Sequence, residues 1–379
     1  MMNQLIQLEL YKIFSQKVIY IAAAVFAALY ISQFYSSLPS AEQRALDKAA
    51  YTTYGGVLTE DKLAWVEAQY EAYEQARLAA GDQRLHLEES FRAEHRVAMD
   101  FKSALQGRAT KPLDEHPSSE SGNRIVVIAS TGEQVVVIQQ EVWLRILIFI
   151  QEVGYFFVAA LVILGLAGSY SRETSAGMDQ LLYSSRHGRG KGTVAKLLAG
   201  AAYCATIPLF FGGLVVSLYG VHYGLHGWDA PLIHYTRLFG QTTFTGTALH
   251  YYGLQVLLSA IGCIALGWLT MLLSAWSRNV LVPAMIAGLL FILPVIVLFL
   301  SLPESPVTWG VMLLFRYMEF IQANYIEGQI PELFFLLWGS LDRGISAGRA
   351  DPMIMYQLLL SLMIPAILLY WSIRRKQVR

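Results

Sequence analysis

Long charge-free stretches set the main limit on how this chain can fold. Five of them lack any Asp, Glu, Lys or Arg, and each approaches or exceeds the roughly 20 apolar residues that a helix needs to cross a bilayer. A sixth stretch, Trp143–Tyr170, carries Arg145 and Glu152 but is otherwise apolar. We therefore expect an all-α polytopic membrane protein with six transmembrane helices. The charge-free stretches are Val18–Tyr35, Leu197–Tyr219, Tyr251–Trp276, Val280–Leu302 and Met353–Ile373.

The composition agrees with this expectation and argues against two other classes. Apolar residues make up 55% of the chain and charged residues 15%, which is too hydrophobic for a soluble enzyme of 379 residues. The formal net charge is zero, which does not suit a polybasic nucleic-acid-binding protein. Cys204 and Cys263 both lie inside apolar stretches, so we expect neither a disulfide framework nor a cysteine-based zinc site.

The distribution of basic residues favours one orientation. With the N-terminus in the cytoplasm, the cytoplasmic segments hold 12 Lys/Arg against three Asp/Glu, as the positive-inside rule requires. Both termini are then cytoplasmic. The predicted order is an interfacial helix at 1–17, span 1 at 18–38, an extracytoplasmic domain at 39–142, span 2 at 143–170, a cytoplasmic helix or loop at 171–196, spans 3–5 at 197–302 with an outside loop at 220–250, short extracytoplasmic helices at 303–352, and span 6 with a basic tail at 353–379.

The first 17 residues have two readings. Apolar and charged residues alternate at near-helical spacing, which indicates an amphipathic helix at the membrane surface. A plain continuation of span 1 fits the same residues equally well. We expect span 1 to be retained, because no small-residue cleavage site of a signal peptide follows it.

The domain at 39–142 is predicted to be small, acidic and α+β. It holds 11 Lys/Arg and 17 Asp/Glu. A helix is expected to begin at the cap Thr59, with Leu63, Val66, Tyr70 and Tyr73 forming an apolar stripe for the domain's own core. A second helix is predicted over 84–105, and two β-branched runs within 124–138 predict a hairpin around a Ser-Thr-Gly turn.

Ligand motifs are weak in this chain. His222 and His226 have the i,i+4 spacing that could hold one metal on a helix, but no third ligand has convincing spacing, and an interfacial aromatic belt is the better interpretation. The stretch HGRGKGT at 187–193 lacks the spacing and the leading strand of a phosphate-binding loop. We expect no cofactor, no metal and no enzymatic activity in this chain.

Two charged residues lie in the predicted second span. Glu152 and Arg145 are seven residues apart, so they share nearly the same helix face. Ionisable groups at membrane depth are costly and usually face a cavity or a partner. They are candidates for a transport pathway, although a structural ion pair or a bond to a neighbouring helix explains them as well.

The polar segment between the predicted spans 2 and 3 is longer than a connector needs to be. It holds five Lys/Arg, and Met178, Leu181 and Leu182 give it an apolar edge that a soluble partner could bury in a groove.

This segment resembles the intracellular coupling loop of the type-2 ABC transporter permeases. That family's pattern is matched by an acid, a glycine, a leucine pair, a small residue, a basic residue and a lysine that opens the next span. The ELYKIF stretch before span 1 is also similar to the family through Glu9, Lys12 and Phe14. The matching residues in the loop are Glu173, Gly177, Leu181, Leu182, Ser184, Arg186 and Lys196.

The resemblance implies an export permease in a bacterial plasma membrane. Its coupling helix would dock on a separate ABC ATP-binding subunit, which would bind ATP and Mg²⁺. A second permease chain, identical or related, would complete a dimer of twelve spans. The residues implied in docking are Arg172, Glu173, Gly177, Met178, Leu181, Leu182 and Arg186.

Three functions remain open at this point. The first is export of a peptide, drug-like or lipid-like amphiphile. The second keeps the same family but moves sodium or another cation, with Glu152 on its path. The third is a membrane sensor or assembly protein that transports nothing.

Overall fold

In the computed structural model, the chain is mostly helical. The structure describes residues 2–36, 38–80, 88–109, 136–139, 141–149, 154–178, 188–235, 245–299, 317–322 and 352–375. The helices are α1 (Met2–Phe14), α2 (Lys17–Ser36), α3 (Ala41–Tyr54), α4 (Glu60–Ala80), α5 (Glu89–Ala109), α6 (Glu141–Phe149), α7 (Tyr155–Leu166), α8 (Ser171–Ser175), α9 (Thr193–Tyr223), α10 (Ala248–Trp276), α11 (Leu281–Phe299), α12 (Tyr317–Gln322) and α13 (Pro352–Arg375), and the strands are β1 (Gly56–Val57) and β2 (Val136–Val137).

The chain is a multi-pass membrane protein. Among the described residues, five helical segments are long and apolar enough to cross a bilayer. The apolar helix Leu281–Leu293 coincides with the predicted fifth span but is shorter than the others, so the count of six spans stays a prediction. The five segments are Lys17–Ser36, Tyr155–Ser175, Gly190–Tyr223, Ala248–Trp276 and Tyr356–Arg375.

The helices divide into two compact units. The first unit comprises Met1–Phe34, Ile148–Ser217 and Tyr252–Arg379, and the second comprises Tyr35–Leu147 and Leu218–Tyr251. The predicted domain at 39–142 and the predicted outside loop at 220–250 therefore belong to one compact unit.

Helix α1 is a separate helix rather than an extension of the first span. Ser15 and Gln16 interrupt the helix before α2 begins at Lys17. The Gln16 side chain donates to the Gly165 carbonyl at 3.3 Å, and the Phe14 ring meets the Tyr203 ring edge-on at 5.6 Å. These contacts hold α1 against α7 and α9. The position of α1 at the membrane surface stays a prediction.

Small residues let the helices of the first unit approach closely. A Cβ on Gly165 would overlap the Tyr203 ring, and the Tyr203 hydroxyl donates to the Leu161 carbonyl at 2.7 Å. A Cβ on Gly267 would lie 2.5 Å from Cys204 Sγ. At these two glycines the backbones of α7 and α10 lie directly against side chains of α9.

Apart from Pro352, which begins α13, helix α12 is the only described part of the predicted 303–352 segment, and it is buried. Met318, Phe320 and Ile321 are fully enclosed, and α12 packs against α7 and α11. A Cβ on Gly262 would lie 2.7 Å from the carbonyl carbon of Phe320, so the backbone of α12 touches α10 about halfway along its length. Whether α12 is a re-entrant or an interfacial helix stays a prediction.

Replacing Gly262 by alanine is expected to destabilise the first unit by about 1–3 kcal/mol, because the new methyl group would meet the α12 backbone rather than a flexible side chain. Unfolding in mixed micelles with increasing denaturing detergent measures the change. Gly253→Ala is the matched control on the same helix, since nothing lies within 4 Å of its Cβ position. Equal effects of the two substitutions would contradict the close α10–α12 contact.

The second unit is built on three helices that pack around a small apolar core. Ser40 caps α3 by accepting a hydrogen bond from the Gln43 amide at 3.1 Å. Thr59 caps α4 as predicted, because its hydroxyl accepts a hydrogen bond from the Lys62 amide at 3.4 Å. The core consists of Ala50, Val66, Ala93, Val97, Ala98, Phe101, Ala104 and Val137.

The predicted apolar stripe of α4 lies on the α5 side of the unit. Val66 is a core residue, and the Tyr73 ring stacks on His95 of α5 at 3.7 Å. Lys102 lies over the Tyr70 ring at 3.1 Å. The stripe therefore packs inside its own unit, as expected.

The second strand of the predicted hairpin pairs with a strand that the sequence did not predict. β2 pairs antiparallel with β1, so that Gly56 faces Val137 and Val57 faces Val136. β1 was not predicted, because two residues beside Gly55 carry no strand pattern. Residues 110–135, which include the first predicted strand and its turn, lie outside the described residues.

The described part of the 220–250 segment belongs to the second unit and is joined to α3 by a hydrogen bond. Helix α9 ends at Tyr223, and Gly224 and Gly227 adopt positive φ. The helix therefore stops between His222 and His226, so the i,i+4 arrangement that a shared metal would need is not formed. The Arg44 guanidinium donates to the His222 carbonyl at 2.7 Å.

Helix α6 covers the first residues of the predicted second span. Helix α6 belongs to the second unit as far as Leu147, and the apolar segment long enough to cross a bilayer starts at Tyr155. Trp143 is buried beside Gly227 of the same unit. Residues 150–153 lie outside the described residues, so the start of the second span stays a prediction.

The stability of the second unit is expected to fall as the pH drops below about 6.5, the ordinary pKa of histidine. Burial, together with the nearby Lys102, lowers the pKa of His95, against the opposing charge of Glu74. The unfolded chain then binds a proton more readily than the folded chain, so stability is full above that pH and is lost below it. Thermal unfolding at pH 7.5 and 5.5 measures the loss. His95→Gln should reduce the difference between the two pH values, whereas substitution of the exposed His250 should not.

Candidate functional site

Four charged side chains form a closed ring in the first unit. Lys12 Nζ lies 2.8 Å from Glu9 Oε1 and 3.1 Å from Glu173 Oε1. Lys196 Nζ lies 2.6 Å from Glu173 Oε2 and 3.7 Å from Glu9 Oε2. Each ammonium therefore contacts both carboxylates, and the ring joins α1, α8 and α9.

The Lys196 side of the ring is buried. Its side chain is 8% exposed, and the ammonium also donates to the Ser169 carbonyl at 3.0 Å and lies 4.5 Å from the centre of the Tyr170 ring. A charge removed from water at this level is costly unless it is paired and hydrogen-bonded. The ring supplies both conditions, and this explains how a lysine can sit inside the junction.

Lys12 occupies the more open side of the ring. Burial by itself would lower the pKa of Lys12, but the hydrogen bond to Glu9 and the charges of Glu173 and Glu9 outweigh it. The pKa of Lys12 is raised as a result, so the ammonium keeps its charge throughout the physiological range. The ring thus holds two positive and two negative charges and is neutral as a whole.

A serine on α10 supports the turn that carries Glu173. Ser274 Oγ accepts hydrogen bonds from the Tyr170 amide at 3.1 Å and the Ser171 amide at 3.0 Å. It donates to the Ala167 carbonyl at 2.7 Å. These bonds satisfy backbone groups freed where α7 ends and α8 begins. Helix α8 is therefore attached to both α7 and α10.

A cavity of about 230 Å³ opens beside the ring. Besides the four charged residues, it is lined by Gln16, Ser169, Arg172 and Met271. At the edge of the cavity, the exposed Arg172 side chain lies over Gly168.

The predicted docking residues have different environments. Arg172 is exposed and Met178 is 52% exposed, so both are accessible to a partner. Glu173 is 14% exposed and bound in the ring, and its predicted docking role stays a prediction. Gly177 has a φ of 67° with open space around it. Leu181, Leu182 and Arg186 lie outside the described residues.

The predicted segment at 171–196 is partly helix of the next span. A π-helical turn at Gly188–Gly192 leads directly into α9, which begins at Thr193 rather than at residue 197. Lys196 therefore lies within a helix. The described part of the HGRGKGT stretch enters this helix through a π-helical turn, and residues 179–187 lie outside the described residues.

Of the two transport-pathway candidates, only Arg145 lies in the described structure. Arg145 is exposed and lies in the second unit, because α6 belongs to that unit as far as Leu147. Glu152 lies outside the described residues. Within the described part of the chain, no group of three or more His, Cys, Asp or Glu side chains could hold a metal ion.

Sequence reasoning named all four ring residues but did not predict that they meet. Glu9, Lys12, Glu173 and Lys196 were noted through the family resemblance, each as part of a separate stretch. Ser274 was missed altogether. The available signal was the position of single charges at the ends of long apolar stretches, where they can reach one another once the helices pack.

Comparison of the chain with protein families, curated proteins and solved structures finds no match.

Proposed function

We propose that this chain is the permease subunit of an ATP-driven exporter of the type-2 ABC class. It would move a peptide, drug-like or lipid-like amphiphile out of a bacterial cell, driven by a separate ATP-binding subunit that carries ATP and Mg²⁺. The single observation that carries this proposal is the ion-pair ring. It ties helix α8, which carries the exposed Arg172, to α1 and α9 of the first unit, the membrane unit.

The surface beside the ring has the chemistry that a protein partner needs. Arg172 supplies a charge and Met178 supplies apolar area, and both are exposed. Aromatic, Met and Arg side chains are enriched at protein interfaces. A partner that presents an acidic side chain and an apolar groove would bind here.

Force applied to α8 would reach the neighbouring helices through ion pairs and hydrogen bonds. Glu173 passes it to α9 through Lys196 and to α1 through Lys12. Ser274 passes it to α10. Closure of two ATP-binding subunits on two permease chains would then shift an equilibrium between inward-open and outward-open arrangements. This scheme needs six spans per chain, cytoplasmic termini and a twelve-span dimer.

The test is affinity purification of the tagged chain from its native membrane in mild detergent, with identification of every protein that accompanies it. A stoichiometric ATP-binding subunit is expected, and a second permease band would indicate a heterodimer. Absence of an ATPase at every detergent strength, with the chain folded, would favour the sensor alternative.

Charge reversal at Arg172 is the variant that locates the docking surface. Arg172→Glu should lower the recovered ATPase by about tenfold or more, since a like charge at an interface can cost several kcal/mol. Arg278→Glu is the matched control, because Arg278 is an exposed arginine in the predicted cytoplasmic turn between α10 and α11. If both variants lose the ATPase equally, the surface at α8 is not specific.

A further inference from the structure

The buried polar side chains of α10 fall into two sets. Near one end, Thr270 donates to the Leu266 carbonyl at 2.8 Å, and Ser274 makes the three bonds described above. Toward the other end, neither amide atom of Gln255 has a hydrogen-bond partner in the described structure, and the same holds for the Tyr252 hydroxyl and Ser259 Oγ. One helix therefore satisfies its buried polar groups at one end and leaves them unsatisfied at the other.

The unsatisfied groups share one face and are closed off. Gln255 and Ser259 are 0% exposed, and Tyr252 is also buried. Their spacing of three and four residues places them on one side of the helix. Ser259 has the Cys263 thiol as a neighbour, which is a weak hydrogen-bonding group and satisfies the hydroxyl poorly.

Unpaired polar groups in a span need an explanation. Inside a membrane there is no water to replace a lost bond, so each such group raises the free energy of the closed conformation. Native proteins pair nearly all such groups, and exceptions point to a water, a ligand or a change of conformation. Three neighbouring exceptions on one face indicate a surface that is satisfied in another state.

We propose that Tyr252, Gln255 and Ser259 form the cargo-binding surface of the membrane unit, closed in this conformation. This inference rests on the proposed transport function and names the chemistry of its cargo. The surface opens to water or cargo when the helices rearrange, and it binds uncharged hydrogen-bonding groups.

The chemistry of the three side chains selects amides and hydroxyls. The glutamine amide has both donors and an acceptor, so it can pair with a peptide-like amide, while the two hydroxyls both donate and accept. None of the three carries a formal charge. Hard cations are usually held by several oxygens that include carboxylates. An amphiphile with amide or hydroxyl groups fits this surface better than a bare cation.

Cysteine accessibility tests whether the surface opens. Ser259→Cys in native membrane vesicles should react with a small hydrophilic methanethiosulfonate at least tenfold faster than Thr270→Cys, after subtraction of labelling in the parent chain. Thr270 is the matched control: it is equally buried, its hydroxyl is already bonded, and it lies eleven residues along the same face, about 16 Å away. If Ser259→Cys remains as slow as Thr270→Cys at rest, with ATP and with ATP plus vanadate, the proposal fails.

A second variant distinguishes a change at this surface from a folding defect. Gln255→Leu removes an unsatisfied amide, so it should keep or raise the melting temperature of the purified chain while slowing the labelling of Ser259→Cys several-fold. A clear fall in melting temperature would mean that the amide is bonded in the fold, which would overturn the proposal.

Protection by small amphiphiles tests the cargo class. N-dodecanoylglycinamide should slow the labelling of Ser259→Cys, whereas dodecyltrimethylammonium and sodium chloride at equal concentration should not. Protection by sodium alone would overturn the assigned class. Labelling needs only this chain, so its failure is distinct from failure to recover an ATP-binding subunit, which would count against the proposed function alone.

Discussion

Lys196→Met is expected to destabilise the first unit by about 3 kcal/mol, the lower end of the cost of breaking a buried ion pair. The change leaves Glu9 and Glu173 facing each other with Lys12 as their shared partner. It also removes the hydrogen bond to the Ser169 carbonyl. The partial exposure of Lys12 and its remaining charge keep the expected cost from being larger.

The measurement is the free energy of unfolding of the purified chain in mixed micelles. Lys191→Met is the control, because Lys191 is exposed and lies five residues before Lys196. The control should change stability by no more than about 0.5 kcal/mol. Similar values for the two variants would show that the ring contributes little.

Exchanging the charges of Glu173 and Lys196 is expected to fail as a rescue. In an isolated pair, Glu173→Lys with Lys196→Glu would restore the attraction. In the ring, the new lysine at position 173 would face Lys12, and the new glutamate at position 196 would face Glu9. We expect the double variant to be at least as unstable as Lys196→Met, by about 3 kcal/mol or more relative to the parent.

The same unfolding measurement applies to this double variant. The control is the exchange of Glu74 and Arg77, a more exposed pair at 2.9 Å on α4, which should be nearly neutral. Recovery of parental stability by the Glu173–Lys196 exchange would mean that the two residues act as an isolated pair. The ring would then have no role beyond that single contact.

The sequence predicted well what depends on local pattern. Four of the five charge-free stretches and part of the Trp143–Tyr170 stretch form helical segments long and apolar enough to cross a bilayer. Helix α4 begins after Thr59 with its stripe on the core side. Helix α3 was missed because AEQRALDKAAYTTY has no strong apolar face, although Ser40 is a good cap. The two-residue strands were too short to leave a pattern.

The candidate site was harder to predict because its contacts are distant in sequence. Lys12 and Glu173 are 161 residues apart, and no spacing rule predicts that they meet. The closed polar face of α10 is a similar case. A glutamine within an apolar stretch is visible in the sequence, but whether it finds a partner depends on the helices packed around it.

The pairing of α7 with α9 limits the motions open to the membrane unit. The Tyr203 hydroxyl binds the Leu161 carbonyl, and two turns earlier on α9 Lys196 binds the Ser169 carbonyl. Leu161 lies within α7 and Ser169 in the turn that follows it, so the two bonds resist sliding or rotation of one helix against the other. Helices α7 and α9 must therefore tilt together. Any passage through this protein has to open beside this pair of helices and not between them.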